Sequence, residues 1–453
     1  MRASFGDFNI LGFDTDNSAG VVRLRYAYEK GGSFCETLSF GAPLPGDDSP
    51  FRPAFEEALA ALLVLSGVSY YKAFAPDNVV VHHARTTPDR LPFFKKLYVE
   101  GLGEFAYRNN IDVAGRLNIF SRAPLAAAAT STGVRPHPAL PRRSAVLIGG
   151  GKDSLVSVEA LRAASEPMTL FAVNPKRPMT ECAEASGLPL IAVSRQLDAG
   201  LFELNKAGAL NGHVPITAIV SFIAIAASFV HGFDAVVLSN ERSADEGTVE
   251  RDGVSINHQF SKSSGAEADI TDYVKTRISA DLVYFSLLRP LSEAHIARLF
   301  ARVDRYDHVF TSCNRAFQIL AKTEPARWCL DCPKCRFTFL MLATAMPAAR
   351  LRSIFGADLL DDARQLRGYE ELSGLAGHKP WECVGEIAES SAALLMLARD
   401  PAWADSAVVK SLAPRLAPHA AELDRVWTRL MTPSADHFLS PRFESALHDY
   451  IGR

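Results

Sequence analysis

The chain has 453 residues, a formal net charge of −3 and 48% hydrophobic residues. That length accommodates two or three domains, the composition is that of a globular protein, and the near-zero charge excludes the basic footprint typical of nucleic-acid binders. Acidic residues come too early in MRASFGDFNILGFDTD for a signal peptide. The most apolar segment, residues 216–230, is uncharged but short for a membrane span, so it predicts a buried helix. We expect a cytoplasmic protein with no nucleic-acid or membrane partner.

The first part of the chain mixes strand-like and helix-like patterns, which predicts an α+β domain over residues 1–134. The alternating runs VVRLRYAY and FCETLSF predict a β-hairpin, and residues 54–66 predict an apolar helix. Residues 126–132 (AAAATST) are of low complexity, and residues 135–143 (RPHPALPRR) are basic and rich in proline. We place a domain linker at residues 135–143.

Beyond the linker, strand-like and helix-like runs alternate, which is typical of a doubly wound parallel sheet. The five strand-like runs are residues 145–148, 169–173, 190–193, 235–239 and 308–311. We therefore predict an α/β domain with a five-stranded parallel sheet over residues 144–345, followed by a helical C-terminal region over residues 346–453.

The first of these strands runs into the glycine loop of SAVLIGGGKDSLVS, residues 144–157. A Walker A loop requires Ser or Thr directly after its lysine, but Asp153 separates Lys152 from Ser154. A dinucleotide fingerprint requires a third glycine where Ser154 stands. Glycines that allow close backbone approach, a lysine and a helix N-terminus nevertheless predict an anion site. An acidic residue within such a loop favours bound magnesium. The alternative is an ordinary strand-to-helix turn.

This loop resembles the S-G-G-x-D-S loop of the N-type ATP pyrophosphatases, with Gly149 in place of the leading serine. The resemblance implies a PP-loop, adenine nucleotide alpha hydrolase-like fold. It also implies cleavage of ATP between its α and β phosphates, with AMP transferred to a carboxylate or carbonyl oxygen. In that group the loop holds the pyrophosphate end, and the end of the second strand contacts adenosine. The residues implied to bind ATP are Gly149, Gly150, Gly151, Lys152, Asp153, Ser154, Val173 and Asn174.

The position of a second group of polar residues depends on the order of the strands. Ligands of open α/β sheets bind at the carboxyl ends of the strands, where the strand order reverses. With the order 3-2-1-4-5, that point lies between the first and fourth strands. The fourth strand leads into SNERSADEG, residues 239–247, and we expect this polar segment to face the glycine loop.

Four of the seven cysteines form the pattern C-x15-C-x2-C-x2-C, at Cys313, Cys329, Cys332 and Cys335. Four thiolates at this spacing are typical of a closed tetrahedral zinc site with a structural role. An iron–sulfur cluster uses the same ligands and stays an alternative. The deazapurine nitrile synthases of the pyrophosphatase group are similar in having clustered cysteines after the fifth strand, and this likeness implies structural zinc.

Over its whole length the chain resembles the MurL family of UDP-N-acetyl-α-muramoyl-L-alanyl-L-glutamate epimerases. The stretches that carry the resemblance are IGGGKDSLVSVEALR (148–162), VLSNERSADEGTVERDGVSINHQFSKS (237–263) and WCLDCPKCRF (328–337). The resemblance implies inversion of the terminal L-glutamate of UDP-MurNAc-L-Ala-L-Glu with ATP and Mg²⁺, releasing AMP and pyrophosphate, in peptidoglycan synthesis. Adenylation would remove the carboxylate charge that opposes loss of the α-proton. The alternatives are a synthase that transfers an amide, nitrile or thio group, and a nucleotide-binding module without activity.

Inversion requires a base and an acid on opposite faces of the α-carbon. The candidate catalytic residues are Lys152, Asp153, Glu241, Asp245, His258 and Lys262. Of these, His258 titrates closest to neutral pH, and His213 is a further candidate with packing as its alternative role. The remaining cysteines, Cys35, Cys182 and Cys383, lie far apart in sequence and give no reason to expect a thiol pair. The sequence leaves the oligomeric state open.

Overall fold

The computed structural model describes residues 5–122, 134–251, 254–317 and 326–453. The strands are β1 (Phe8–Asp16), β2 (Val21–Tyr28), β3 (Ser33–Ser39), β4 (Asn78–Val81), β5 (Asn118–Ser121), β6 (Ser144–Leu147), β7 (Met168–Val173), β8 (Leu190–Gln196), β9 (Ala235–Leu238), β10 (Val249–Arg251), β11 (Val254–Ile256) and β12 (Val283–Ser286). The α-helices of the N-terminal and central parts are α1 (Arg52–Tyr71), α2 (Leu91–Gly101), α3 (Gly103–Arg108), α4 (Lys152–Ala163), α5 (Arg177–Ser186), α6 (Ala199–Lys206), α7 (Ile216–His231), α8 (Ser264–Tyr273) and α9 (Glu293–Phe300). Those that follow are α10 (Pro333–Ala343), α11 (Ala348–Phe355), α12 (Leu366–Leu372), α13 (Ile387–Leu397), α14 (Ala407–Leu416), α15 (Ala420–Leu430) and α16 (Pro441–Gly452).

Ten of the strands form one sheet, in the order β12-β9-β6-β7-β8-β3-β2-β1-β4-β5. The five strands from β12 to β8 are parallel to one another. The predicted hairpin is confirmed, since β2 and β3 pair antiparallel. Strands β10 and β11 form a separate two-stranded ribbon. The α/β class is therefore confirmed, but the predicted count of five strands is not, because the sheet has ten.

The predicted strand at residues 308–311 is wrong, and β12 takes its place at the edge of the sheet. The backbone N–H groups of Val309 and Phe310 both donate to the carbonyl of Tyr306, which closes a turn. The run HVFT satisfies the pattern of a buried strand, but Phe310 uses its apolar side chain to pack on Trp328 and Phe300. A short apolar run does not by itself distinguish a strand from a buried turn.

The sheet separates two apolar cores, because successive side chains of a strand point to opposite faces. In β6, Val146 belongs to a core shared with α4, α9 and α10, and Ala145 belongs to a core shared with α1 and α7. Helix α7 confirms the predicted buried helix. Helix α1 is long and apolar enough to cross a membrane by length and composition alone, but 94% of its most apolar window is buried inside the fold.

The two halves of the sheet join where β3 pairs antiparallel with β8, so the sheet runs past the predicted linker. Residues 134–143 contain no helix or strand, and residues 126–132 lie outside the described residues. At the join, the guanidinium of Arg195 donates to both carboxylate oxygens of Glu36, at 2.8 and 3.1 Å. Both side chains are almost completely buried. A buried charge without its partner is strongly destabilising, so this pair fixes the register between the two halves.

We predict that Glu36→Ala lowers the free energy of unfolding by about 3–5 kcal/mol, since it leaves the Arg195 guanidinium buried and unpaired. The measurement is urea denaturation at neutral pH. The double variant Glu36→Leu with Arg195→Met, which leaves no buried charge, should recover most of the loss. Asp14→Ala breaks the exposed Arg25–Asp14 pair and should have a much smaller effect, because water screens exposed charges. Equal effects of Glu36→Ala and Asp14→Ala would contradict the interpretation.

Candidate functional site

The glycine loop lies at the carboxyl end of β6 and leads directly into α4, which begins at Lys152. Gly150 has φ +78°, and a Cβ atom there would lie 3.1 Å from the carbonyl carbon of Pro178 and 3.2 Å from the amide nitrogen of Met179. Both neighbours are backbone atoms that cannot move aside. Only glycine combines this backbone conformation with this closeness to the start of α5.

The loop presents free backbone donors at the N-terminus of α4. The residue before the helix is Gly151, and no described side chain caps the helix there. Ser154 lies on the first turn, where its hydroxyl is 3.4 Å from the amide nitrogen of Gly149 and 3.1 Å from the carbonyl oxygen of Gly151. Uncapped N–H groups at a helix N-terminus form a favourable site for an anion.

The loop also lies at the point where the strand order reverses. From β6 the chain proceeds to β7 and β8 on one side and then returns to β9 and β12 on the other. The loop after β6 and the segment after β9 therefore lie side by side, which is where ligands of open α/β sheets bind. A hydrogen bond of 2.7 Å between the hydroxyls of Ser157 and Ser239 joins α4 to the end of β9.

A buried ionic cluster lies beneath the loop. The Nζ atom of Lys152 contacts the carboxylates of Asp153 and Glu293, and Glu293 is also 3.4 Å from the Nζ atom of Lys334. Lys152 and Glu293 are each 1% exposed. Burial alone would raise the pKa of Glu293, but Lys152 and Lys334 outweigh it and lower that pKa to about 2. Desolvation opposes the charged form of Lys152, but Asp153 and Glu293 raise its pKa overall. Lys152 and Glu293 are thus both charged at neutral pH.

A second carboxyl group, Glu389, supports this cluster from α13. Its Oε1 atom accepts a hydrogen bond of 2.8 Å from the amide nitrogen of Ala294, in the first turn of α9. Burial, followed by repulsion from Glu293, raises the pKa of Glu389 to about 8. Glu389 is therefore mainly protonated at neutral pH, so it orients α9 without adding a second buried negative charge beside Glu293.

The polar segment after β9 is held in place by Arg289, whose side chain is buried. Its guanidinium donates to the carbonyl oxygen of Glu241 at 2.7 Å and to that of Lys262 at 2.5 Å. Its charge is balanced by Glu267, whose Oε2 atom lies 2.9 Å from Nε. Glu267 in turn accepts the amide N–H of Ser286, at the end of β12. The two ends of the segment are thus tied to the sheet.

Glu241 and Lys262 point from this segment towards the ionic cluster. Burial, and after it repulsion from Glu293, raises the pKa of Glu241, and attraction to Lys262 only partly opposes this. A raised pKa favours the protonated carboxyl group. Lys262 is half-buried, and its Nζ atom lies 3.4 Å from the sulfur of Cys383. The structure thus brings two of the predicted catalytic residues together with a cysteine for which the sequence gave no role.

His258 belongs to the same site and is hydrogen-bonded to a residue of the N-terminal part of the chain. Its Nδ1 atom is hydrogen-bonded to the carboxylate of Glu104 in α3. Burial lowers the pKa of His258, but hydrogen bonds to Cys383 and Glu104 outweigh it and raise that pKa to about 9. The ring of His213 lies 4.7 Å from that of His258, and burial together with this neighbour lowers the pKa of His213 to about 4. His258 is therefore charged at neutral pH and His213 is neutral.

Three predicted site residues lie away from this cluster. Asp245 is exposed, and its Oδ1 atom accepts the amide N–H of Ser264 at the start of α8. Asn174 has φ +47°, and its side-chain amide is hydrogen-bonded at both ends to the backbone of Arg195, where β7 and β8 end. Val173 is half-buried against the core. Asn174 and Val173 do lie at the carboxyl edge of the sheet, at the end of β7.

The four clustered cysteines converge with the geometry of a tetrahedral metal site. Their sulfur atoms lie within 4.8 Å of one another. The Cys313–Cys332 sulfurs are 3.9 Å apart and the Cys329–Cys335 sulfurs are 3.8 Å apart. A tetrahedron of four thiolates with metal–sulfur bonds of about 2.3 Å has sulfur–sulfur distances of about 3.8 Å. These distances are too long for disulfides, and they fit a bound zinc ion.

This cysteine cluster is connected to the glycine loop through three residues of chain. The amide N–H of Thr311 donates to the carbonyl oxygen of Gly150 at 2.9 Å, and the hydroxyl of Thr311 accepts the amide N–H of Cys313 at 3.0 Å. Lys334, which lies between Cys332 and Cys335 in the sequence, makes a second connection through its ion pair with Glu293. Contrary to the sequence-based prediction, the cysteines do not follow the fifth strand directly, because α9 lies between β12 and Cys313.

Comparison with known proteins identifies the family. Family models for the MurL N-terminal domain and the MurL C-terminal domain match residues 1–287 and 309–426. A UDP-N-acetyl-alpha-D-muramoyl-L-alanyl-L-glutamate epimerase from Xanthomonas oryzae pv. oryzae is 43% identical over 94% of this chain and 93% of its own length. The chain belongs to the MurL epimerase family. It is accordingly an enzyme of the isomerase class.

Two further MurL relatives carry the same name. The protein from Salinispora tropica is 41% identical over 97% of this chain and 95% of its own length. The protein from a Micromonospora species is 42% identical over 91% of each chain. No solved structure was found to match the chain. The model for the MurL N-terminal domain includes the glycine loop and the polar segment after β9, and that for the C-terminal domain includes the cysteine cluster.

Sequence reasoning missed several members of this MurL site. They are Glu104, Arg289, Glu293, Lys334, Cys383 and Glu389. None belongs to a recognisable catalytic motif, and they are spread over the chain from Glu104 to Glu389. The only local signal was the position of Lys334 between two of the clustered cysteines.

We predict that Glu293→Gln lowers the free energy of unfolding by about 3–5 kcal/mol at pH 7, because it leaves Lys152 and Lys334 buried without their counter-charge. The pKa of Glu293 is lowered from 4.5 to about 2 on folding. Its contribution is therefore fully present above about pH 5 and is lost as the pH falls from about 4.5 towards 2. Urea denaturation at pH 7, 5.5 and 3.5 measures the difference.

The matched control for Glu293→Gln is Glu203→Gln, which removes one partner of the exposed Glu203–Lys206 pair. That variant should change stability by less than about 1 kcal/mol at each pH. A gap between wild type and Glu293→Gln that widens at pH 3.5 would contradict the charge assignment.

Proposed function

We propose that this enzyme inverts the terminal L-glutamate of UDP-MurNAc-L-Ala-L-Glu to D-glutamate in an ATP-dependent reaction that proceeds through an acyl-adenylate. The names of the MurL relatives, which are similar to this chain along nearly its whole length, support this choice of substrate. The ATP-dependent mechanism is supported chiefly by one observation. An uncapped helix N-terminus, a glycine loop and a buried lysine meet at the point where the strand order reverses.

In this proposal the loop from Gly149 to Ser154 binds the β and γ phosphates of ATP. Backbone N–H groups, the hydroxyl of Ser154 and the Lys152 ammonium supply the donors and the positive charge. An oxygen of the glutamate α-carboxylate attacks the α-phosphorus, and the bond to the β phosphate breaks as pyrophosphate leaves. Val173 and Asn174, at the end of β7, are proposed to contact the adenosine. The corresponding fold is that of the PP-loop ATP pyrophosphatases.

Adenylation solves the main chemical difficulty of the inversion. An α-proton next to a full carboxylate charge is very weakly acidic, because the carbanion would lie beside another negative charge. The acyl-adenylate carries no charge on its carbonyl group, so the electron pair of the broken C–H bond moves onto the carbonyl oxygen as an enolate. Reprotonation on the other face gives the D configuration, and hydrolysis then releases AMP and the product.

Magnesium is expected to accompany the nucleotide, and Asp153 is the residue proposed to hold it. Its side chain is partly exposed and belongs to the loop itself. A divalent cation would neutralise charge on the pyrophosphate leaving group. Carboxylate oxygens are ligands that Mg²⁺ prefers.

We propose that the glutamate of the substrate is bound and inverted by Glu241, His258 and Lys262, because these residues lie together beside the ionic cluster. Burial raises the pKa of Glu241, which favours its protonated form and the role of a proton donor. The positive charges of Lys262 and His258 suit the carboxylates of the substrate and the developing enolate. A catalytic role for Asp245 stays a prediction, since its described contact is with the amide N–H of Ser264, away from these groups.

Three further proposals concern the domain divisions, the cellular location and the metal of the four-cysteine site. We propose that the N-terminal domain, linker, pyrophosphatase domain and helical region follow the divisions 1–134, 135–143, 144–345 and 346–453. We also propose that the reaction takes place in the cytoplasm, in peptidoglycan precursor synthesis for cell-wall biogenesis and cell shape, because the names of the relatives specify a UDP-muramoyl dipeptide. We propose zinc for the four-cysteine site, with a structural role. All four positions of a tetrahedron would be occupied by sulfur, which leaves none for substrate.

The test of the function is chiral analysis of glutamate after incubation with UDP-MurNAc-L-Ala-L-Glu and magnesium, with and without ATP. D-glutamate should form only with ATP, together with AMP and pyrophosphate. D-glutamate that forms equally well without ATP would contradict the mechanism, and no D-glutamate in a folded sample would contradict the function.

Two variants distinguish a specific role of the glycine loop in ATP cleavage from a general effect of backbone strain. Gly150→Ala places a Cβ against the backbone of Pro178 and Met179 at φ +78°, so we expect AMP formation to fall by about 100-fold or more, the scale of losing positioned phosphate contacts. Gly187→Ala meets a similar φ of +69° after α5 but has nothing within 4 Å of the new Cβ. It should retain most of the AMP formation. Equal loss in both variants would contradict the role of the loop.

The zinc proposal predicts about one zinc ion per chain in the purified protein. Cys329→Ser should remove most of it, as measured by elemental analysis. We also expect AMP formation to fall, because the contact from Thr311 to Gly150 depends on the cysteine cluster. Cys35→Ser, in β3, is the control and should keep both zinc and AMP formation. Iron with visible absorbance in place of zinc would contradict the assignment.

A further inference from the structure

Cys383 lies in the segment between α12 and α13, and two contacts fix this segment on the site. The Nζ atom of Lys379 forms an ion pair with Glu246, after β9. The carboxylate of Glu382 accepts the backbone N–H of Lys334, 3.2 Å away, at the start of α10. The C-terminal region thus carries the thiol of Cys383 to the site and holds it beside Lys262.

The groups that face this thiol are cationic. Lys262 lies 3.4 Å from the sulfur, His258 is hydrogen-bonded to it, and Lys334 acts on it electrostatically. Burial alone would raise the pKa of Cys383, but these three groups, with Lys262 first, lower it to about 6. The carboxyl group of the neighbouring Glu382 has a pKa raised by burial, which reduces its opposing charge. The thiolate is therefore the main form at neutral pH.

Other roles for Cys383 do not fit its surroundings. It is not one of the four cysteines whose sulfurs converge, and it forms no disulfide among the described residues. A purely structural cysteine is usually buried in apolar surroundings, where its pKa is raised. Cys383 is instead half-buried and lies among charged side chains, so a substrate can reach it.

We infer that Cys383 is one of the two proton-transferring residues of the inversion, and that Glu241 is the other. This inference rests on the proposed function and deepens it. The first structural observation is that the Nζ atom of Lys262 contacts the sulfur of Cys383. The second is that Arg289 donates to the backbone carbonyls of both Glu241 and Lys262, which holds these two residues side by side. A cation close to both groups is well placed to hold the carbonyl group of the acyl-adenylate, and the inference assigns one group to each side of the α-carbon.

The inversion consists of two successive proton transfers. The Cys383 thiolate takes the α-proton, so an S–H bond forms, the C–H bond breaks and its electron pair moves onto the carbonyl oxygen. The protonated carboxyl group of Glu241 then donates its proton to the opposite face of the α-carbon, and the carbonyl bond re-forms. The enzyme is left with a thiol and a carboxylate. Proton exchange with water restores the starting forms, so no other reactant is needed.

The test uses Cys383→Ala and Cys383→Ser in the full-length protein, in D₂O, with ATP, magnesium and UDP-MurNAc-L-Ala-L-Glu. The readouts are AMP, D-glutamate and deuterium at the glutamate α-carbon. Loss of a general base typically costs about 10²–10⁴-fold. We expect D-glutamate and α-deuterium to fall by that factor in both variants while AMP still forms, because the thiol has no part in the attack on ATP. Cys35→Ser is the matched control and should match wild type in all three readouts.

Three outcomes would overturn the role of Cys383. The first is D-glutamate formation within about tenfold of wild type in both variants. The second is parallel loss of AMP and D-glutamate in a variant that melts like wild type. The third is a glutamyl adduct on Cys383 in acid-quenched wild-type enzyme, which would show a thioester instead of proton transfer. Should Cys383→Ala fail to fold, the nearly isosteric Cys383→Ser decides. Absence of AMP and D-glutamate in wild type would instead contradict the proposed function itself.

Discussion

The buried carboxylate of Glu293 is the contact on which the site depends. It binds Lys152 of the glycine loop and Lys334 of the cysteine cluster, and it stands at the first residue of α9. Two ammonium groups would not stay buried together without it. The same contact keeps the two ammonium groups close to a helix N-terminus that no described side chain caps. In the proposed reaction, the phosphates of ATP would bind at this helix N-terminus.

The continuity of the sheet gives the N-terminal part of the chain a direct place in this chemistry. Because β3 pairs with β8, helix α3 lies close enough for Glu104 to bind His258. The C-terminal region contributes Cys383 and Glu389. The site is therefore assembled from all parts of the chain, and the four-cysteine cluster supports the glycine loop through the contact from Thr311 to Gly150. Such an arrangement explains why the MurL relatives are similar along nearly the whole length and not only around the loop.

The sequence predicted best those features that are contiguous. The glycine loop, the four cysteines, the hairpin and α7 each lie within one short stretch, so local pattern and spacing suffice. The run HVFT predicts a strand wrongly because a short run with two adjacent apolar residues looks alike in a strand and in a buried turn. Only long-range pairing decides between them. Glu293, Arg289 and Cys383 could not be found in this way, since their roles arise from neighbours between 22 and 141 residues away. Cys383 in particular becomes chemically distinctive only beside Lys262.

The central claim is that a carboxylate oxygen of glutamate is transferred to AMP, and an isotope measurement tests it most directly. UDP-MurNAc-L-Ala-L-Glu labelled with ¹⁸O in the glutamate α-carboxylate is converted in the presence of ATP and magnesium, and the nucleotide products are analysed by mass spectrometry. The account predicts one ¹⁸O atom in the phosphate of each AMP formed along with D-glutamate. Label in inorganic phosphate with ADP as the nucleotide product, or D-glutamate accompanied by unlabelled AMP, would contradict it.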